Sequence, residues 1–170
     1  MEQVVTKKTN RSSVKAKNEP FTPAMKKAVE DYIFMLKNSL ALKDWTIFVD
    51  WIGEMDNISY ATNTPMEDTR YSTIQVNEKF LSLTPELQTQ TLIHEVLHCH
   101  LHALSFLAEN TVNYLGSKQA SNVFDIAFSQ ALELTIDSLA DAVSLLVPKF
   151  ILPENDIRVK IAAKKAVKTN

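Results

Sequence analysis

Residues 85–109 read PELQTQTLIHEVLHCHLHALSFLAE, and how this stretch folds decides the rest of the molecule. It has no glycine and no proline after its first residue. Leu87, Thr91, Val96, Leu101, Leu104 and Leu107 supply apolar or neutral surface along it, so the spacing predicts one long helix. Thr84 suits the N-cap, Pro85 the first helical position where no N–H is needed, and Glu86 the positive end of the helix dipole. Inside it lies His94-Glu95-Val96-Leu97-His98. Residues four apart on a helix lie about 40° apart around the axis and about 6 Å along it, so both imidazoles can reach one metal ion. Glu95, directly after the first imidazole, is placed to act as general base on a water activated by that metal without itself being a ligand. Leu92, Ile93, Val96 and Leu97 press this turn against a core, where water access is limited.

Two imidazoles do not hold a catalytic zinc securely; such sites use three protein ligands and leave a fourth position for water. All four histidines, His94, His98, His100 and His102, fall within nine residues of this helix, so no distant third histidine exists. The extended pattern with a glycine and a further histidine downstream fails, because Leu101 and Leu104 stand at those positions. His102, two turns beyond His94, is a candidate for contact with a ligand or substrate. His100 points to another face, and Cys99 is expected to be packed. The third ligand is then a carboxylate, and the segment ALELTIDSLADAV offers Glu133, Asp137 and Asp141 at successive four-residue steps. Glu133 has the longer reach. Asp137, one turn later, is placed to accept the other ring N–H of a ligating histidine, the contact that fixes its tautomer.

Outward from the metal helix, Thr22 and Pro23 start a first helix that runs to about Leu42, with Met25, Val29, Tyr32, Ile33, Leu36 and Leu40 on one stripe. WTIFVDWI (residues 45–52) alternates with period two and is the clearest strand. Shorter strands are expected over Ile58 to Thr62 and Tyr71 to Asn77, separated by a polar loop from Asn63 to Arg70. After Asn113, Gly116 and Ser117, a second long helix extends from about Lys118 to Val147 and is ended by Pro148 and Pro153. Helix, strands, metal helix and glutamate helix in that order predict an α+β domain with a small, mostly antiparallel sheet and helices gathered on one side.

HEVLH followed by ELTID resembles the gluzincin arrangement, HExxH with ExxxD, in which two helices face each other across zinc. The order of elements is similar to the minigluzincins and to small phage-encoded metallopeptidases, and ELTIDSLADAVSLLVP resembles the matching helix of ImmA/IrrE-type regulatory metallopeptidases. Over residues 23–150 the resemblance implies a zincin-like fold, with His94, His98 and Glu133 as Zn2+ ligands, Glu95 as base and Asp137 behind a ligand. It implies a zinc-dependent peptidase acting on a peptide or protein substrate, and alternatively a regulatory protease that cuts one repressor or partner. His102, Tyr60 and Tyr114 are candidates for the oxyanion donor or another substrate contact, and the strand from Tyr71 to Asn77 for the edge that pairs with an extended substrate. A reading from another class is a non-catalytic, metal-stabilised interaction module.

The 170 residues suffice for one domain, expected over 21–157 between basic tails at 1–20 and 158–170. Residues 1–17 carry +4 and residues 158–170 carry +5, leaving −11 of the net −2 on the body. Such tails suit nucleic acid, an acidic partner or the body's own cleft, and equally suit simple solvation. No apolar run reaches membrane-spanning length and the first residues lack the apolar stretch of a secretory signal. With Cys99 the single cysteine, no intrachain disulfide can form, which together with the missing signal predicts a cytoplasmic protein.

Overall fold

The computed structural model describes residues 21–52, 59–66 and 69–153. The expected tails lie outside these residues. The elements are α1 (Pro23–Ser39), β1 (Thr46–Ile52), β2 (Ala61–Pro65), β3 (Tyr71–Asn77), a 3-10 turn (Glu78–Ser82), α2 (Pro85–Val112) and α3 (Lys118–Ser144). Each long helix begins as its local sequence dictates. The hydroxyls of Thr22, Thr84 and Ser117 accept from the N–H groups of Met25, Leu87 and Ala120, and Pro23 and Pro85 occupy first-turn positions where an amide donor would be orphaned.

The sheet is mixed rather than mostly antiparallel. Its order is β1-β3-β2, with β3 parallel to β1 over seven residue pairs and antiparallel to β2 over five. The reason is topological: β2 and β3 follow each other through a short turn and so run antiparallel, and β3 then inserts between β2 and β1. Two consequences correct the sequence reading. The Tyr71–Asn77 strand is central and has no free edge; β2 is an edge strand instead, and its Pro65 is tolerated there because no partner needs its missing N–H. The second strand is also shifted, since Asn63, Thr64 and Pro65, assigned to the loop, belong to it, while Ile58 lies outside the described residues.

One core joins the layers. Val29, Ile33 and Leu36 of α1, Ile74 and Val76 of β3, Phe80, and Leu92, Ile93 and Val96 of α2 are fully buried, with Ile136 from α3 and Leu152 from the segment after it. That last segment is pinned by Tyr32 Oη donating to the Pro148 carbonyl at 2.7 Å and by Phe150 N–H donating to Thr89 Oγ1 at 2.9 Å. The alternation in β1 holds, with Ile47, Val49 and Trp51 turned inward and Thr46, Phe48 and Asp50 outward.

α1 ends at Ser39, three residues before the expected Leu42, for a reason visible in its backbone. Ala41 has φ 57°, and the N–H groups of Ala41 and Leu42 return to the carbonyls of Asn38 and Lys37. This is a Schellman termination in which buried Leu42 covers buried Leu36, with alanine in the left-handed position that glycine normally fills. The Cβ of Ala41 is strained there. Ala41→Gly should therefore stabilise the protein by about 0.5–1 kcal/mol in urea unfolding, the steric relief exceeding the added freedom of the unfolded chain. A loss of stability would mean that the termination carries no strain.

Candidate metal centre

α2 and α3 pack antiparallel, and their facing turns bring the chemistry-bearing residues together. His94 Nε2 lies 3.2 Å from His98 Nε2 and 3.2 Å from Glu133 Oε2, and His98 Nε2 lies 3.9 Å from Glu133 Oε1. One ligand atom from each of the three falls within 4.8 Å of the others, a set that could hold a metal ion. Ligands at 2.0–2.1 Å on a tetrahedral centre are separated by ~3.3–3.4 Å, close to the two 3.2 Å spacings, while the 3.9 Å one, to the other Glu133 oxygen, is wider. Asp137, one turn beyond Glu133, meets His94 Nδ1 at 2.9 Å. A proton on Nδ1 shared with that carboxylate leaves the Nε2 lone pair aimed at the cluster, the orientation a metal ligand requires.

The local environment favours the forms that bind metal. His94 and His98 are about one-fifth exposed, and burial holds the His98 imidazole below its ordinary pKa, favouring the neutral ring, although Glu133 and Asp137 pull the other way. Glu95 points off the same turn into a buried position. Burial first, and the negative charge of Glu133 second, push its carboxyl up to about 8, opposed by a hydrogen bond from the Asn63 backbone. A cation at the cluster would reverse the local sign and favour ionised Glu95.

Beside the cluster, and sharing His94 with it, is an open cleft of about 440 Å³, lined from the helices by His94, Glu95 and Asp137 and from the chain entering β2 by Ser59, Tyr60 and Ala61. Asn63 ties this strand to α2, its Nδ2 donating to the Glu95 carbonyl and contacting Cys99 Sγ, while Ser72 Oγ donates to Asn63 Oδ1. Asn63 was assigned to a loop and its bridging was missed; only its place in an edge strand reveals it. Gln90 Nε2 donates to Asp141 Oδ1 at 2.8 Å and binds the two helices beside the cleft, so Asp141 serves this contact rather than the cluster.

Of the three candidate substrate contacts, Tyr60 alone reaches the cleft. His102 packs edge-on against Trp45, with ring centroids 5.8 Å apart, and lines a different cavity with Leu42, Arg70 and Ala103. Eight residues of helix turn it about 80° from His94, toward a different neighbour. Tyr114 lies past the end of α2, 88% exposed, and ~24 Å of helical rise separates it from His98. Neither contacts the site. Cys99 is buried, and burial pushes its thiol up, so it remains an inert packed group. His100 is exposed.

Two measurements follow from this geometry. Dialysed protein should take up one metal ion per chain by elemental analysis; His94→Ala and Glu133→Ala should abolish tight binding, and Asp137→Ala should weaken it by about 10- to 100-fold. Full occupancy in Glu133→Ala would remove α3 from the site. Separately, a carboxyl whose pKa is raised on folding costs nothing below pH ~4.5 and costs progressively more as pH rises toward 8. The metal-free wild type should thus lose urea stability from pH 5 to 8 relative to Glu95→Gln, by at most about 5 kcal/mol. Parallel profiles for the two proteins would show that the carboxyl is not raised. No protein-family model, curated protein or solved structure matches the chain.

Proposed function

We propose that the protein is a zinc-dependent peptidase. The observation that carries this reading is the convergence of His94, His98 and Glu133 beside an open cleft that His94 and Glu95 line. Two imidazole nitrogens and one carboxylate form a three-ligand set that suits zinc and leaves a fourth position open. Zinc held there would polarise a carbonyl and lower the pKa of water.

The chain's own residues supply the remaining steps. Glu95 accepts a proton from the attacking water and delivers it to the leaving amine, which needs a base beside the cluster and shielded from bulk solvent. Asp137 keeps the proton of His94 on Nδ1 and so fixes the direction of Nε2. Tyr60, on the opposite wall of the cleft, is the candidate donor to the developing oxyanion. The start of β2 provides the edge along which an extended peptide can lie. Bonds from Asn77 N–H to the Tyr60 carbonyl and from Met66 N–H to the Tyr71 carbonyl turn residues 60 and 66 toward β3, so the backbone groups of Ala61, Asn63 and Pro65 face away from it. Asn63 is already engaged with Glu95 and the Ala61 carbonyl accepts from Ser59 Oγ, so a peptide pairing beside the cleft would have to displace that hydroxyl.

The test separates binding from chemistry. On an unstructured protein substrate with zinc present, Glu95→Gln should retain the metal but lose hydrolysis by ~10²- to 10⁴-fold. His94→Ala should lose both, and Tyr60→Phe should lower kcat by ~10²-fold with KM little changed. Unchanged hydrolysis in Glu95→Gln would end the proposed mechanism. Tight zinc binding without cleavage of any peptide would favour the metal-stabilised interaction module.

A further inference from the structure

The α2–α3 pair extends past what is packed on it. α1 stops at Ser39, and the chain that follows it borders α2 at His100 and Ala103. Beyond that point Leu104 and Leu107 on α2, and Val123 and Ile126 on α3, are exposed, as is Leu134 at the level of the metal cluster. On α3, Ala120, Val123, Ala127, Ala131 and Leu134 follow one another at three- and four-residue steps and form one apolar stripe, exposed at every position. Near the hairpin turn this stripe forms a wall of an apolar groove of about 550 Å³ with Leu115 and Phe124. Solvated helices usually carry many charges, yet residues 101–132 contain three: Glu109, Lys118 and Asp125.

We propose that this hairpin is a self-association surface, on which two copies of the chain pack their α3 stripes about a two-fold axis to complete a four-helix bundle. An antiparallel helix pair with an uncovered apolar face is half of such a bundle. Ala120, Ala127 and Ala131 allow close approach of the backbones, with Val123 and Leu134 filling the space between them. A two-fold axis sets each stripe against its own copy, so the surface must not strongly repel itself, and residues 101–134, with Glu109, Asp125 and Glu133 against Lys118, carry a net charge of only −2. The same lack of charge argues against the other occupants. Nucleic acid and anionic lipid are held largely by cationic side chains, and the chain's own basic terminal segments would seek an acidic surface.

The test is the mass of the full chain in solution, measured by light scattering and sedimentation from low to high micromolar concentration. Wild type should reach twice the 19.2 kDa chain mass. Val123→Glu and Leu134→Glu, both at exposed positions, should return it to monomer with unchanged helical circular dichroism and unchanged metal content. Phe48→Glu, in an exposed position on the sheet, should remain dimeric. Amide exchange across residues 119–134 of the wild type should slow as concentration rises, a readout that needs no variant. A monomer at all concentrations, or a dimer that persists in both charged variants, overturns the proposal. A monomer that binds an apolar dye only after residues 154–170 are removed would identify the chain's own segment as the occupant and equally overturn it.

Discussion

Two imidazoles and an exposed carboxylate meeting within 4.8 Å form the constraint around which the structure is arranged. Without a cation, imidazole nitrogens 3.2 Å apart compete for one proton, Glu133 and Asp137 bring two carboxylates to them from successive turns of α3, and the buried Glu95 carboxyl is pushed toward its neutral form. A divalent ion would resolve both conflicts, because it would accept the lone pairs and neutralise the acids. Its candidate ligands come from two helices, so binding there would be linked to the packing of α2 on α3. Any ion that binds the folded chain and not the unfolded one stabilises this contact by mass action.

The rest of the fold holds that meeting point in register. β3 and α1 bury the apolar side of α2, fixing the rotation that turns His94 and His98 toward α3. Asn63 locks the edge strand to the backbone of the same turn at Glu95, so the two walls of the cleft are set by one side chain. Thr89, Tyr32 and Phe150 hold the segment after α3 against the start of α2.

The sequence carried the parts of this that depend on local spacing. Caps at Thr22 and Thr84, the helical period through His94 and His98, and the four-residue step from Glu133 to Asp137 are properties of single helices, and the absence of a distant histidine directed attention to the second helix. Strand order was not legible, because inserting β3 between β1 and β2 satisfies long-range burial and leaves no mark on any one strand's alternation. Asn63 was hidden for the same reason: a polar residue in a short strand reads as a loop. His102 shows the limit of counting turns, since eight residues along a helix retain proximity along the axis but not direction. Tyr114 fell to the length of α2, which carries it far beyond the cluster.

The account is tested most directly by X-ray absorption at the zinc edge of the metal-loaded protein. It predicts nitrogen and oxygen neighbours alone at about 2.0–2.2 Å, with the multiple-scattering pattern of two imidazoles and no sulfur. A sulfur neighbour near 2.3 Å, which would bring Cys99 into coordination, or a pattern with a single imidazole would contradict it.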